Sequence, residues 1–169
     1  MPKGSETRPA LVLVRKVICD TLMPYILDAS VLDLFAGTGA FVFEMISRGA
    51  GSAVANDLDR AMSEALVKNG QALGVADRVQ ALNCDFPEAV RRMGRSQRKF
   101  DIIFVAPPFY ADFVNRSVEA VGEHDLLAPK GILITHYHKK DTVAESNPGL
   151  KLWKQKKHGN SVMDFWLRE

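Results

Sequence analysis

From residue 30 onward, short β-branched apolar runs alternate with longer stretches whose apolar residues recur every three or four positions. That alternation predicts a mostly parallel sheet covered by helices. Ser30 to Phe35 (SVLDLF) reads as a buried strand, Ala40 to Arg48 as a helix and Ser52 to Asn56 as a second strand. Asp59 to Leu73 reads as a long amphipathic helix, with Asp59 as its N-cap and Gly74 as its stop. Arg78 to Asn83 is a third strand, followed by a helix around Glu88 to Met93, and Lys99 to Val105 is a fourth strand. After Pro107-Pro108 a helix is expected from about Ala111 to Gly122, and the turn Pro129-Lys130-Gly131 should open the strand Gly131 to Tyr137. Leu150 to Lys157 and Ser161 to Arg168 flank His158-Gly159-Asn160, which predicts a closing antiparallel hairpin. Ahead of the sheet, Leu11, Val14, Ile18, Leu22 and Tyr25 recur at helical spacing behind Thr7-Arg8-Pro9, and Pro24 should end or kink that helix. The expected architecture is one α/β domain over 1–169, with residues 1–29 a helical lead-in and 30–169 the sheet, its two-sided helices and the hairpin.

Composition narrows the class. Of 169 residues, 47% are hydrophobic and 25% charged, which excludes disordered and fibrous chains. No apolar run approaches the ~18 residues of a membrane span, and the opening MPKGSETRP lacks a secretory stretch, so a soluble cytoplasmic protein is expected. Cys19 and Cys84 have neither metal nor redox spacing and read as small buried hydrophobes. Net charge is only +2, but the basic residues cluster. Arg91, Arg92, Arg95, Arg98 and Lys99 form one run; Lys139, Lys140, Lys151, Lys154, Lys156, Lys157 and His158 form another. Each run is either a solvated face or a contact for an anion.

Candidate chemistry concentrates in Asp33-Leu34-Phe35-Ala36-Gly37-Thr38-Gly39, where the first strand gives way to a helix. Ligands of open α/β sheets bind outside the carboxyl ends of the strands. Gly37 and Gly39 permit a tight turn and close backbone approach, and the next helix offers its free N–H groups to an anion. A carboxylate at Asp33 would repel a pyrophosphate, and Val42 occupies the third glycine position of the dinucleotide fingerprint. The ligand implied carries both ammonium and carboxylate, as does the amino-acid end of S-adenosylmethionine. Asp57, 24 residues beyond Asp33, falls where an acid bonds ribose hydroxyls. Asp59 can share that role or cap its helix. Asp85 can accept the adenine amino group, with Phe86 against the ring, or cap the following helix. The fourth strand ends in Ala106-Pro107-Pro108-Phe109-Tyr110, a rigid turn able to aim the Pro107 carbonyl at an amine and to stack Phe109 on a base. His136 and His138 alternate along a strand end and read as structural rather than as metal ligands, and Trp153 and Trp166 read as cross-strand packing.

The chain resembles the bacterial small-subunit ribosomal RNA guanine-N2 methyltransferase family, of the Rossmann-like class that uses S-adenosylmethionine. The resemblance runs through Thr7-Arg8-Pro9 with Arg15, the turn from Asp33 to Gly39 with Ser47-Arg48-Gly49-Ala50, and Asp57 with Asp59-Arg60 and Lys68-Asn69. It continues through Asp85, Phe100-Asp101-Ile102-Ile103-Phe104 with Pro107-Pro108-Phe109, and Lys157-His158-Gly159. It implies S-adenosylmethionine as cofactor, held by Asp33, Phe35, Gly37, Gly39, Asp57, Asp85 and Phe86. Ala106, Pro107, Pro108 and Phe109 would form the acceptor site, with no metal required. Ribosomal RNA or a small-subunit assembly particle would be the partner of a monomeric enzyme. Two departures stand out: Ala106 replaces the Asp or Asn that precedes the prolines in the family, and only six residues precede Thr7, where the family carries a basic hairpin. These departures keep open a non-catalytic S-adenosylmethionine-binding protein; a second alternative, a methyltransferase for a small molecule or a protein, predicts that the basic runs do not gather around the cofactor mouth.

Overall fold

The computed structural model describes residues 8–109 and 112–169. Thr7, Tyr110 and the expected helix start at Ala111 lie outside them. Seven strands form one sheet: β1 (Ser30–Asp33), β2 (Ser52–Asn56), β3 (Val79–Leu82), β4 (Phe100–Val105), β5 (Leu127–His138), β6 (Leu150–His158) and β7 (Ser161–Arg168). The spatial order is β3-β2-β1-β4-β5-β7-β6. β1 to β5 pair in parallel, and β7 runs antiparallel to both β5 and β6. This is the α/β fold that the apolar pattern predicts and the Rossmann-like class that the resemblance implies, closing in the expected antiparallel hairpin.

Helices cover both faces because the central strands are apolar on both sides. Helices α1 (Arg8–Leu22), α2 (Ala40–Ser47) and α3 (Arg60–Ala72) lie on one face. Their Val14, Ile18, Phe41, Met45 and Leu66 share a core with Val31, Ile102, Ile134 and Phe165. Helices α4 (Phe86–Arg95) and α5 (Phe113–Glu123) lie on the other face, where Val90, Met93, Val118 and Val121 meet Leu32, Ile103, Leu133 and Trp166. Asp59 caps α3 through bonds from the amides of Ala61 and Met62, as its sequence context predicts. Among the described residues, no helix is long and apolar enough to cross a membrane.

Three expectations are corrected. Pro129-Lys130-Gly131 does not precede the fifth strand; it lies inside β5, which starts at Leu127, and Lys130 takes a φ of 60° where the β4–β5 register slips. A bulge absorbs the turn signal without ending the ladder. Leu11 and Tyr25 do not join the buried stripe of α1: they are 43% and 47% exposed. Pro24 is the reason for Tyr25, since α1 stops at Leu22 and a single 3-10 turn, Met23–Tyr25, follows.

Candidate functional site

The strand order reverses direction at β1, which has β2 on one side and β4 on the other. Helices leaving those two edges go to opposite faces, so the loops after β1 and β4 part and leave a crevice at the carboxyl ends. The glycine turn follows β1 and the Pro-Pro turn follows β4, so the topology brings the two strongest sequence signals to one place. Between them lies a cleft of about 540 Å³, within the ~300–1,000 Å³ usual for small-ligand sites. Asp33, Phe35, Gly37 and Asp57 line one part of it; Ala106, Pro107, Pro108 and Phe109 line the other.

The turn is built by positive-φ glycines. Gly37 has φ 55° with open space where a Cβ would stand, and Gly39 has φ 90° where a Cβ would come within 2.5 Å of the Phe43 ring. Gly37 is therefore free for ligand approach, whereas Gly39 is needed for packing as well as for the turn. The Gly37 amide donates to Asp57 Oδ2 at 2.7 Å, and the Asp59 amide donates to Asp57 Oδ1 at 2.9 Å. Asp57 thus ties the end of β2 to the glycine turn while keeping further lone pairs for a ligand.

Asp33 is only 1% exposed. Burial pushes its carboxyl up to about 7; the Phe35 amide, donating to Oδ1 at 3.1 Å, opposes that rise, and the nearby Asp57 carboxylate adds to it. A buried, cleft-lining acid that resists ionisation is suited to a cationic guest, whose charge would restore the anion. An amino-acid ammonium fits this requirement.

Asp85 and Phe86 sit differently from the rest. Asp85 is exposed, caps α4 by accepting from the Glu88 amide through Oδ1 at 2.9 Å, and does not line the cleft. Phe86 is buried away from the cleft, its ring 5.7 Å from those of both Phe35 and Phe113. It backs Phe35, which does face the cleft. At the acceptor end Pro107 is buried and Phe109 is half-buried, its ring edge-on to His136 at 5.6 Å and near His138 at 5.4 Å.

Several contributors were not legible as site residues. Leu11 of α1 and Phe104 of β4 line the cleft, as does His136 of β5, whose Nε2 lies 2.6 Å from Ser161 Oγ. The position of His136 at the carboxyl end of a strand was the available signal. Asn56, 1% exposed, donates to the carbonyls of Leu34 and Cys84 and so locks the ends of β1, β2 and β3 together. A polar residue closing the apolar run Ser52–Asn56 hinted at this role. Asn83 holds the Asp57 and Leu58 carbonyls, and Asn69 holds that of Thr38. Among the described residues, no group of three His, Cys, Asp or Glu is gathered to hold a metal.

Ribosomal RNA small subunit methyltransferase D of Escherichia coli strain K12 is 27% identical over 169 residues, spanning 100% of this chain and 83% of that protein. A solved structure of a conserved hypothetical protein from Streptococcus pyogenes superposes with a TM-score of 0.84 at 26% identity, covering 92% of this chain and 95% of its own. An RNA methyltransferase from Salinibacter ruber, solved in complex with S-adenosyl-L-homocysteine, shares the fold at 16% identity with a TM-score of 0.65, covering 97% and 93%. The family described as Conserved hypothetical protein 95 matches residues 1–167, and the chain belongs to it.

Proposed function

We infer that this protein is an S-adenosylmethionine-dependent methyltransferase acting on small-subunit ribosomal RNA, at the exocyclic N2 amine of guanine. The observation that carries the reading is the convergence of the glycine turn and the Pro-Pro turn on one cleft, acids at one end and an aromatic at the other. The relatives' names support the RNA substrate; the choice of amine rests on the resemblance of the Pro-Pro-Phe turn.

Asp33 receives the ammonium of the cofactor, and Gly37 leaves its backbone open beside it. Asp57 accepts from the ribose hydroxyls with the lone pairs that Gly37 and Asp59 do not use. Phe35, backed by Phe86 and Phe113, supplies an apolar wall, and Asp85, just beyond the carboxyl end of β3, offers the oxygen not engaged in its cap to the amino group of an adenine that extends past the cleft lining. Phe109 stacks on guanine, and the Pro107 carbonyl accepts from the amine and orients its lone pair. S-adenosylmethionine held there would supply an electrophilic methyl to the amine, with its sulfur, as leaving group, keeping the bonding electron pair. The protein's part is alignment, worth several orders of magnitude in effective concentration. The surplus proton leaves the nitrogen for water, so no general base is assigned.

The test is methyl transfer to unmodified small-subunit ribosomal RNA with mass analysis of the nucleosides. N2-methylguanosine is the expected product. Binding of S-adenosylmethionine with no transfer to RNA would favour a non-catalytic binding protein, the reading to which Ala106 lends weight.

A further inference from the structure

The two basic runs, alike in sequence, differ in their surroundings. Arg91 and Arg92 are paired with Glu88, Lys99 and Arg168 with Asp125, and Arg98 bonds Gln80. Arg98 and Lys99 also precede β4, at the amino end of the sheet, away from the cleft. Glu88 and Asp125 thus offset part of this run's charge. By contrast, none of Lys139, Lys140, Lys154, Lys156 or Lys157 has a carboxylate within 4.0 Å among the described residues. All five are exposed, and the segment from Leu150 to Asn160 contains no acid.

Topology then places this unpaired charge. β6 is antiparallel to β7, and β7 to β5, so β6 points the same way as the parallel strands and ends on the cleft side. Lys139 and Lys140 follow the end of β5, and Lys157 precedes the hairpin turn at that same end. Register sets the face: Lys154 stands opposite Phe165 and Lys156 opposite Met163. Phe165 and Met163 pack in the core that α1 covers, so both lysines lie on the face of α1, which contributes Leu11 and Arg15 to the cleft. Lys154 and Lys156 are spaced by about 6.6 Å along the strand, a regular row of cations. Trp153, beside them, has the Lys154 ammonium 4.4 Å from its ring centroid and Tyr25 edge-on at 5.5 Å.

From this arrangement we propose that the outer edge of β6, continued by Lys157, Lys139 and Lys140, is the phosphate-binding track along which an RNA strand is led into the cleft. The proposal rests on the reading of the protein as an RNA methyltransferase and adds the surface by which RNA is held. Edge strands also carry lysines to block sheet-to-sheet aggregation, and that role predicts a different outcome.

The test neutralises Lys154, Lys156 and Lys157 together (Lys154→Gln, Lys156→Gln, Lys157→Gln) in the full chain. Affinity for an unmodified small-subunit ribosomal RNA fragment is measured from 0.1 to 1 M salt. Three lost phosphate contacts should flatten the log–log slope by about 2, at roughly 0.7 per contact on single strands, and weaken binding about 100-fold at 0.1 M salt. S-adenosylmethionine affinity should not change, which also shows that the variant is folded. The pair Arg91→Gln with Arg92→Gln should leave the slope as it is. An unchanged slope in the triple variant overturns the proposal, as does loss of solubility with RNA affinity intact, which assigns the lysines to edge protection. Retention of polyglutamate but not RNA, abolished by the triple change, would assign the track to an acidic protein. Failure of the functional reading itself is seen separately, as absence of methyl transfer by the unaltered protein at saturating RNA.

Discussion

Removing the proton from Asp33 should control cofactor affinity near neutral pH. The carboxyl lies 1% exposed at the end of β1, and burial lifts it from 3.8 to about 7. If the cofactor ammonium binds the ionised form, apparent affinity scales with the ionised fraction. That fraction is about 3% at pH 5.5 and about one half at pH 7, so affinity should rise about 15-fold across this window, or roughly 1.6 kcal/mol. The ammonium itself stays protonated there, since α-amino groups titrate at about 7.7–8.0. Calorimetric titration with S-adenosylmethionine at half-unit steps measures the rise, and proton release on binding should appear as a buffer-dependent enthalpy. Asp33→Asn should bind more weakly and without this slope. A slope surviving in the asparagine variant would point to another group and would refute the assignment. The ligand-free protein supplies a second readout. Because the folded-state pKa is raised, the unfolded chain ionises first, so stability is greatest below about pH 4 as far as this group is concerned and falls as pH rises to about 7. The full cost is on the order of 4 kcal/mol, so Asp33→Asn should be the more stable protein at pH 8 in the absence of ligand.

Asp57→Ala should weaken S-adenosylmethionine binding about 10- to 150-fold by calorimetry, the ~1.5–3 kcal/mol of hydrogen bonds to a charged group, and should also loosen the turn by freeing the Gly37 and Asp59 amides. Gly39→Ala should lower stability by on the order of 1–3 kcal/mol in denaturant titrations, since φ 90° disfavours alanine and its Cβ would press on Phe43. Ala106→Asp should raise the single-turnover rate on unmodified ribosomal RNA about 10- to 150-fold, because a side-chain acceptor would orient the amine and favour its developing positive charge. Cofactor affinity should hardly move, as position 106 lines the acceptor part of the cleft.

Local chemistry made much of this protein readable in one dimension. Strand periodicity, the cap at Asp59, the stop at Pro24 and the hairpin at Gly159 depend on neighbours within a few residues, so Ser30–Asp33, Ser52–Asn56 and the terminal strands follow from short segments alone. The glycine turn was equally legible, because glycine takes φ near 55° and 90° without steric cost, and φ 90° strongly disfavours a residue with a Cβ. Pro129-Lys130-Gly131 misled for the complementary reason: the local turn preference is kept as a bulge, but Leu127 before it and Ile132 after it both pair with β4, so the strand runs through.

What only the tertiary structure decided concerns partners distant in sequence. Asp57 and Gly37 are 20 residues apart, and their bond is set by the parallel pairing of β1 with β2. Whether Phe86 faces a ligand or backs Phe35 depends on α5, which brings Phe113 against both rings. The rise of the Asp33 pKa needs α1 and α2 to exclude water, since a carboxylate in an isolated strand would stay solvated. The two basic runs read alike because a sequence records charge but not its neutralisation. Glu88 and Asp125 offset part of one run, while the pairing of β6 with β7 carries the other, with no carboxylate partner within 4.0 Å among the described residues, to the cleft side of the sheet. Residue type and local spacing set the elements and their turns; burial, pairing and charge balance depend on contacts between segments, and those exist only once the chain has folded.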